Sequence, residues 1–237
     1  MNIVDIVIIA TIIICMMLGF VRGFLKQTVT FIGTILVVIL AFIFKSPLSL
    51  IMYKNLPFFK FGGIFQNLTS LNILMYETLA FIIALVVLSI VLGVILKVTG
   101  LIEKALKATI ILAIPSKILG MIVGFVQAIV IIYVSLFIVS LPIINLPYLS
   151  ESKYANIILE KTPFLSSVTD GIVKTYDEIS EFIDESSSLD SATKNRNMVD
   201  VMLKNGVTTP ENIRYLVDKG KLEIYNVDEL LEKYEEE

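Results

Sequence analysis

The side chains that run most protein chemistry are scarce in this sequence. There is no histidine, which removes imidazole acid–base catalysis, Ser-His-Asp and Cys-His nucleophile systems and histidine metal ligands. The single cysteine, Cys15, allows no internal disulfide and no cysteine cluster for zinc or iron–sulfur. Set inside an apolar run, it reads as a small inert hydrophobe. The acidic stretches Asp184–Glu185 and Glu235–Glu237 lack the alternating oxygen ligands and turn glycine of a calcium loop and read as solvated carboxylates. No glycine-rich phosphate loop and no basic patch interleaved with aromatics occurs, so nucleotide and nucleic-acid roles have no support. The expectation is a protein without catalytic residues, cofactor or metal.

What the sequence does carry is a repeated glycine pattern. LGFVRGFLKQTV at 18–29 aligns with LGMIVGFVQAIV at 119–130, an offset of 101, and each copy contains GxxxGF. Gly19 and Gly23 lie four apart, as do Gly120 and Gly124, so each pair falls on one helix face and lets another backbone approach closely. Two readings stand: packing grooves on two membrane helices, or a helical-hairpin repeat that forms a substrate path. Arg22, between the glycines and just before Gly23 and Phe24, reads as an anchor snorkelling to lipid headgroups. Asp5 is expected to cap the start of the first helix. Polar candidates inside the apolar runs are Gln127, Ser135 and Ser89. The absence of a charge near the middle of any run opposes an ion-coupled pump.

These residues need elements to hold them, and composition says which. The 237 residues are 56% hydrophobic and 17% charged, with a mean hydropathy of +0.86. Soluble domains have fewer apolar and more charged residues. Residues 1–150 carry a net charge of +6 and residues 151–237 a net of −9. Four runs meet the length of a spanning helix, about 20 mostly apolar residues: about 3–21, 27–44, 78–96 and 118–141, the last followed by Pro142 and Pro147. In lipid such uninterrupted runs must be helical to satisfy their backbone groups. The link 46–76, broken by Pro57, Gly62 and Gly63, suits an interfacial or re-entrant segment. The basic, Leu/Ile-rich link 97–117 reads as an amphipathic helix on the membrane surface, closed by Pro115. Arg22, Lys26, Lys97, Lys104, Lys107 and Lys117 outnumber Lys45, Lys54, Lys60, Lys153 and Lys161 on the opposite side by one, which places both termini outside.

Beyond the spans the chain turns polar. Ile172, Val173, Tyr176, Ile179, Phe182 and Ile183 recur at helical spacing, and Ser186–Ser188 read as linker. Residues 194–237 then read as three short helices. Gly206 and Gly220 would close two of them, Thr209-Pro210 would open the second, and Asn226 with Glu229 would open the third. The expected organisation is a four-helix transmembrane domain (1–147), an amphipathic helix and linker (148–193) and a small helical acidic module (194–237). The fold class is all-α.

The order Asp5, apolar run, then GFVRGFLKQ at 19–27 resembles the colicin V production protein family, and LGMIVGFVQAIVI at 119–131 is similar to that family's second glycine-rich helix. The resemblance covers about residues 1–145. Pro115-Ser116-Lys117 departs from it, because relatives often place an acidic residue there. The resemblance implies a four-helix protein of the bacterial cytoplasmic membrane that supports production or export of a peptide toxin, or envelope maintenance, without catalysis. Its expected partners are the lipid bilayer and a second copy or other membrane proteins, and no nucleic acid. An oligomeric channel or small-solute transporter is the alternative.

Overall fold

The computed structural model describes residues 2–61, 68–105, 113–140, 152–160, 162, 174–175, 178–179 and 189–235. Among these are eight helices and no strand: α1 (Ile3–Arg22), α2 (Phe24–Asn55), α3 (Ser70–Ala105), α4 (Ala113–Ser140), α5 (Lys153–Glu160), α6 (Ser191–Lys204), α7 (Pro210–Asp218) and α8 (Val227–Glu235). The four longest are apolar and long enough to cross a membrane. The chain divides into two compact units, one of 1–41 with 85–167 and one of 42–84 with 168–237.

In the first unit, α1 is capped by Asn2, whose amide donates to the Asp5 carboxylate at 3.1 Å. Asp5 therefore sits in the first turn, one turn inside the cap position the sequence suggested. Its other oxygen accepts from the buried Ser152 hydroxyl at 2.6 Å, and Ser152 also takes the Ala155 amide at the start of α5. One aspartate thus ties α5 to α1. Around it Ile8, Ala128, Ile132, Leu136 and Ala155 form the apolar core where α1, α4 and α5 meet. The link between α1 and α2 is Gly23 alone, at φ +76°, a left-handed backbone that glycine adopts without a Cβ penalty.

In the second unit, the end of α2 and the start of α3 extend past the expected spans. α2 runs on through Lys45 and Pro47 to Asn55, and α3 begins at Ser70. Asn72 holds the segment between them by accepting from the Phe59 amide at 2.7 Å and donating to the Phe59 carbonyl at 3.0 Å, while the Tyr76 hydroxyl donates to the Pro57 carbonyl at 2.6 Å. Tyr53 and Tyr76 meet edge to face with centroids 5.9 Å apart. Much of the expected interfacial link is thus helix. Gly62 and Gly63 lie outside the described residues.

The surface helix expected over 97–117 is not a separate element. Its first part continues α3 to Ala105 and its last part opens α4 at Ala113, with 106–112 outside the described residues. Pro115 stands in the first turn of α4, where its missing N–H has no intrahelical partner to lose. Pro142, Pro147, Ile172, Val173, Tyr176, Phe182, Ile183 and Ser186–Ser188 also lie outside the described residues.

The three short helices of the C-terminal module follow local signals. Asp190 caps α6 by accepting from Ala192 and Thr193, and Thr209 caps α7 with Pro210 behind it. Gly206 and Gly220 follow their helix ends at φ +65° and +62°. The Asn226 amide reaches Glu229 at 3.2 Å at the start of α8. Met198, Val199, Met202, Ile213, Leu216, Leu230 and Leu231 are buried.

Candidate functional site

In the first unit the two glycine motifs face each other. A Cβ built on Gly19 would stand 2.2 Å from the Gly120 carbonyl oxygen, and one on Gly120 would stand 2.4 Å from the Gly19 oxygen and 2.7 Å from the Gly23 carbonyl carbon. One on Gly124 would stand 2.4 Å from the Cys15 oxygen. Numbers rise along α1 as they fall along α4, so the helices are antiparallel and touch backbone to backbone. Gly23 lies at the end of this seam against the Ser116 hydroxyl, which also accepts from the Phe24 amide at 3.1 Å. The Phe24 ring and Arg22 are exposed.

Beside the seam runs a line of polar side chains. Arg22 reaches the Gln27 oxygen at 3.4 Å, Gln27 donates to the Gln127 oxygen at 2.5 Å, and Gln127 donates to the Thr34 hydroxyl at 3.0 Å. Gln27 and Gln127 are both buried. Pairing satisfies amides that apolar surroundings would otherwise leave unsolvated. Ser135 donates to its own helix at the Ile131 carbonyl. With Ser89, Thr34 and Gly93 it lines an apolar cleft of about 390 Å³. Gln127 was legible in advance. Its partner Gln27 was not singled out, although each copy of the glycine motif has a glutamine within three residues of its GF.

The second unit holds a site that sequence reasoning missed. Lys45 and Glu77, which border the expected spans 27–44 and 78–96, lie inside α2 and α3 and are 2% and 1% exposed, with Nζ 3.8 Å from Oε2. The Lys45 ammonium donates to the carbonyls of Gly206 at 3.0 Å and Val207 at 2.5 Å, and lies 4.7 Å from the centre of the Phe42 ring. Glu77 Oε1 is ringed by donors: the Ser49 hydroxyl at 2.8 Å, Tyr53 at 3.0 Å, Thr208 at 3.1 Å and the Asn212 amide at 3.1 Å. Oε2 is buried with no hydrogen-bond donor among the described residues and faces only the lysine. The Asn212 amide nitrogen also lies 3.2 Å from both the Ser46 carbonyl oxygen and the Ser49 hydroxyl oxygen, which share its second hydrogen.

A buried carboxylate persists only when paired and hydrogen-bonded, and this one has both forms of support. Among the described residues no group of three or more His, Cys, Asp and Glu is placed to hold a metal.

Four long apolar helices, two of which meet backbone to backbone on a glycine seam, define an all-α, multi-pass membrane protein. The family model described as colicin V production protein matches residues 4–163, and the chain belongs to that family. No curated protein and no solved structure matches the chain closely enough to count as similar.

Proposed function

We propose that the chain is a non-enzymatic scaffold of the bacterial cytoplasmic membrane, supporting production or export of a peptide toxin of the colicin V type or upkeep of the envelope. The observation that carries this reading is the closed seam. The repeated motif that could have lined a path is consumed in backbone contact between α1 and α4. The inward pairing of Gln27 with Gln127 supports the same reading, since a water path would use such groups to meet solvent. The scaffold acts by assembling with a second copy or with other membrane proteins in the bilayer, with both termini outside and no nucleic-acid partner.

An oligomeric channel or small-solute transporter is the second reading, and the cleft lined by Thr34, Ser89 and Ser135 favours it. Two measurements separate them. In a host that makes a colicin-V-type toxin, loss of the chain is expected to lower secreted toxin, with recovery from a plasmid-borne copy. Purified protein in liposomes is expected to pass no small solute. Reproducible flux, blocked by Ser135→Leu in the cleft, would overturn the scaffold in favour of the channel.

A further inference from the structure

We infer that the Lys45–Glu77 centre is a directional lock that seats the C-terminal module on α2 and α3 in one register, so that residues 189–235 act as a strap that is fully docked or released. This holds whatever the protein helps to produce. The turn between α6 and α7 presents two helix ends at once. α6 ends at Lys204, and the carbonyls of Gly206 and Val207 just beyond it point at the Lys45 ammonium. α7 begins at Pro210, and Thr208 and Asn212 on either side of its start donate to Glu77. A helix C-terminus carries partial negative charge and an N-terminus partial positive charge. The α6 end therefore faces the cation and the α7 start faces the anion, so dipoles and hydrogen bonds agree in sense.

The carbonyl end of the turn has no use for a carboxylate, because carbonyls cannot donate. An ammonium placed at 77 would lose the Asn212 amide donor and would need the Tyr53 and Thr208 hydroxyls to turn and accept, so the direction rests mainly on the Gly206 and Val207 carbonyls. Other contacts also hold the module: the Ser70 amide and hydroxyl reach Asn195 Oδ1 at 3.1 and 2.8 Å, Asn212 donates to the Ser46 carbonyl, Lys221 donates to the Tyr53 carbonyl, and the Lys54 ammonium lies over the Tyr215 ring. Helices of 14, 9 and 9 residues make too small a core to stand firmly alone. Loss of the lock therefore frees the module as a unit.

The test uses the full chain in membranes, with Cys15→Ser and cysteines at Lys54 and Tyr215, whose side chains meet with Nζ 5.3 Å from the ring centre. A short bismaleimide then reports docking. Lys45→Met and Glu77→Gln are each expected to lower the cross-linked fraction at short times by about tenfold or more, because removing one partner strands the other in a buried site. The charge swap Lys45→Glu with Glu77→Lys is expected to be no better than either single change. Thr208→Val with Asn212→Leu alters only the module and is expected to give the same loss, which keeps the test decisive if the changes within α2 and α3 fail to insert. Cross-linking restored by the swap would overturn the directional lock. Cross-linking unchanged in Lys45→Met, Glu77→Gln and the module variant would overturn the lock altogether.

Discussion

Adding one methyl group at Gly19 tests the seam most directly. The alanine Cβ would stand 2.2 Å from the Gly120 oxygen and 2.9 Å from its carbonyl carbon, where ordinary contact begins near 3.4 Å, so α1 and α4 must part by about 1 Å. Both atoms in the way are backbone and cannot rotate aside. Overpacking costs about 1–3 kcal/mol in well-packed cores. A gap of 0.5–1 Å already forfeits a quarter to a half of each neighbouring contact, so the upper end, about 3 kcal/mol or roughly a hundredfold in the folding equilibrium, is expected. Gly93→Ala is the control, because nothing lies within 4 Å of its Cβ position and alanine favours helix. Gly33→Ala should fall between the two: its Cβ meets Leu92 Cδ1 at 2.5 Å, the far end of a side chain that can swing away. The assay is unfolding in mixed micelles of rising denaturing-detergent fraction, followed by circular dichroism. Gly19→Ala and Gly120→Ala should unfold early, and together by less than the sum, since they strike one contact. Equal midpoints for Gly19→Ala and Gly93→Ala would refute the seam as a backbone contact.

Gln127→Leu strands the buried Gln27 amide and should destabilise by about 1–2 kcal/mol in the same assay, while adding Gln27→Leu recovers part of the loss because neither partner is left unpaired. Burial pushes the Asp200 carboxyl up, but the Tyr234 hydroxyl at 2.7 Å and the Lys233 ammonium at 3.1 Å outweigh it and hold the group below its ordinary value of 3.8. A carboxyl depressed in the folded state stabilises above that ordinary value and loses the effect as pH falls through the native one, so the protection of the Leu230 and Leu231 amides relative to their intrinsic exchange rates should fall only below about pH 4, and Asp200→Asn should abolish that dependence. A reporter that fluoresces only in the cytoplasm, fused after Glu237, should stay dark on the six-to-five basic count of the first and third links, and a bright signal would reverse the orientation.

Most of the fold was legible because its signals are local or compositional. Uncharged runs of spanning length have one way to satisfy their backbone in lipid, and all four are helices. Thr209-Pro210, Gly206 and Gly220 mark helix ends through conformations that few other residues adopt so readily. The boundaries of α2 and α3 were not legible, since a hydropathy run stops at a charge or a proline whether or not the helix does. Pro47 stays inside α2, where the Ser46 carbonyl before it accepts from the Asn212 amide. Asp5 looked like a cap because its type suits one; it instead sits three residues past Asn2 and uses its second oxygen on Ser152, a partner 147 residues away.

The Lys45–Glu77 centre was missed for the same reason, yet its geometry follows from counting. Lys45 lies ten residues before the end of α2, and Glu77 lies seven after the start of the next long helix. At 1.5 Å per residue those offsets are about 15 and 10 Å, so opposite charges on successive spans stand near one level on the same side. Such a pair is poorly read as two separate stops. Its net contribution to stability is small, because desolvation offsets much of the attraction, and a pair of well-packed leucines could hold these helices as firmly. Leucines, however, would accept the α6–α7 turn in any rotation. An ammonium facing two carbonyls of this turn and a carboxylate taking Thr208 and Asn212 from it favour one rotation, so at this position the charges contribute orientation where apolar residues would contribute only contact.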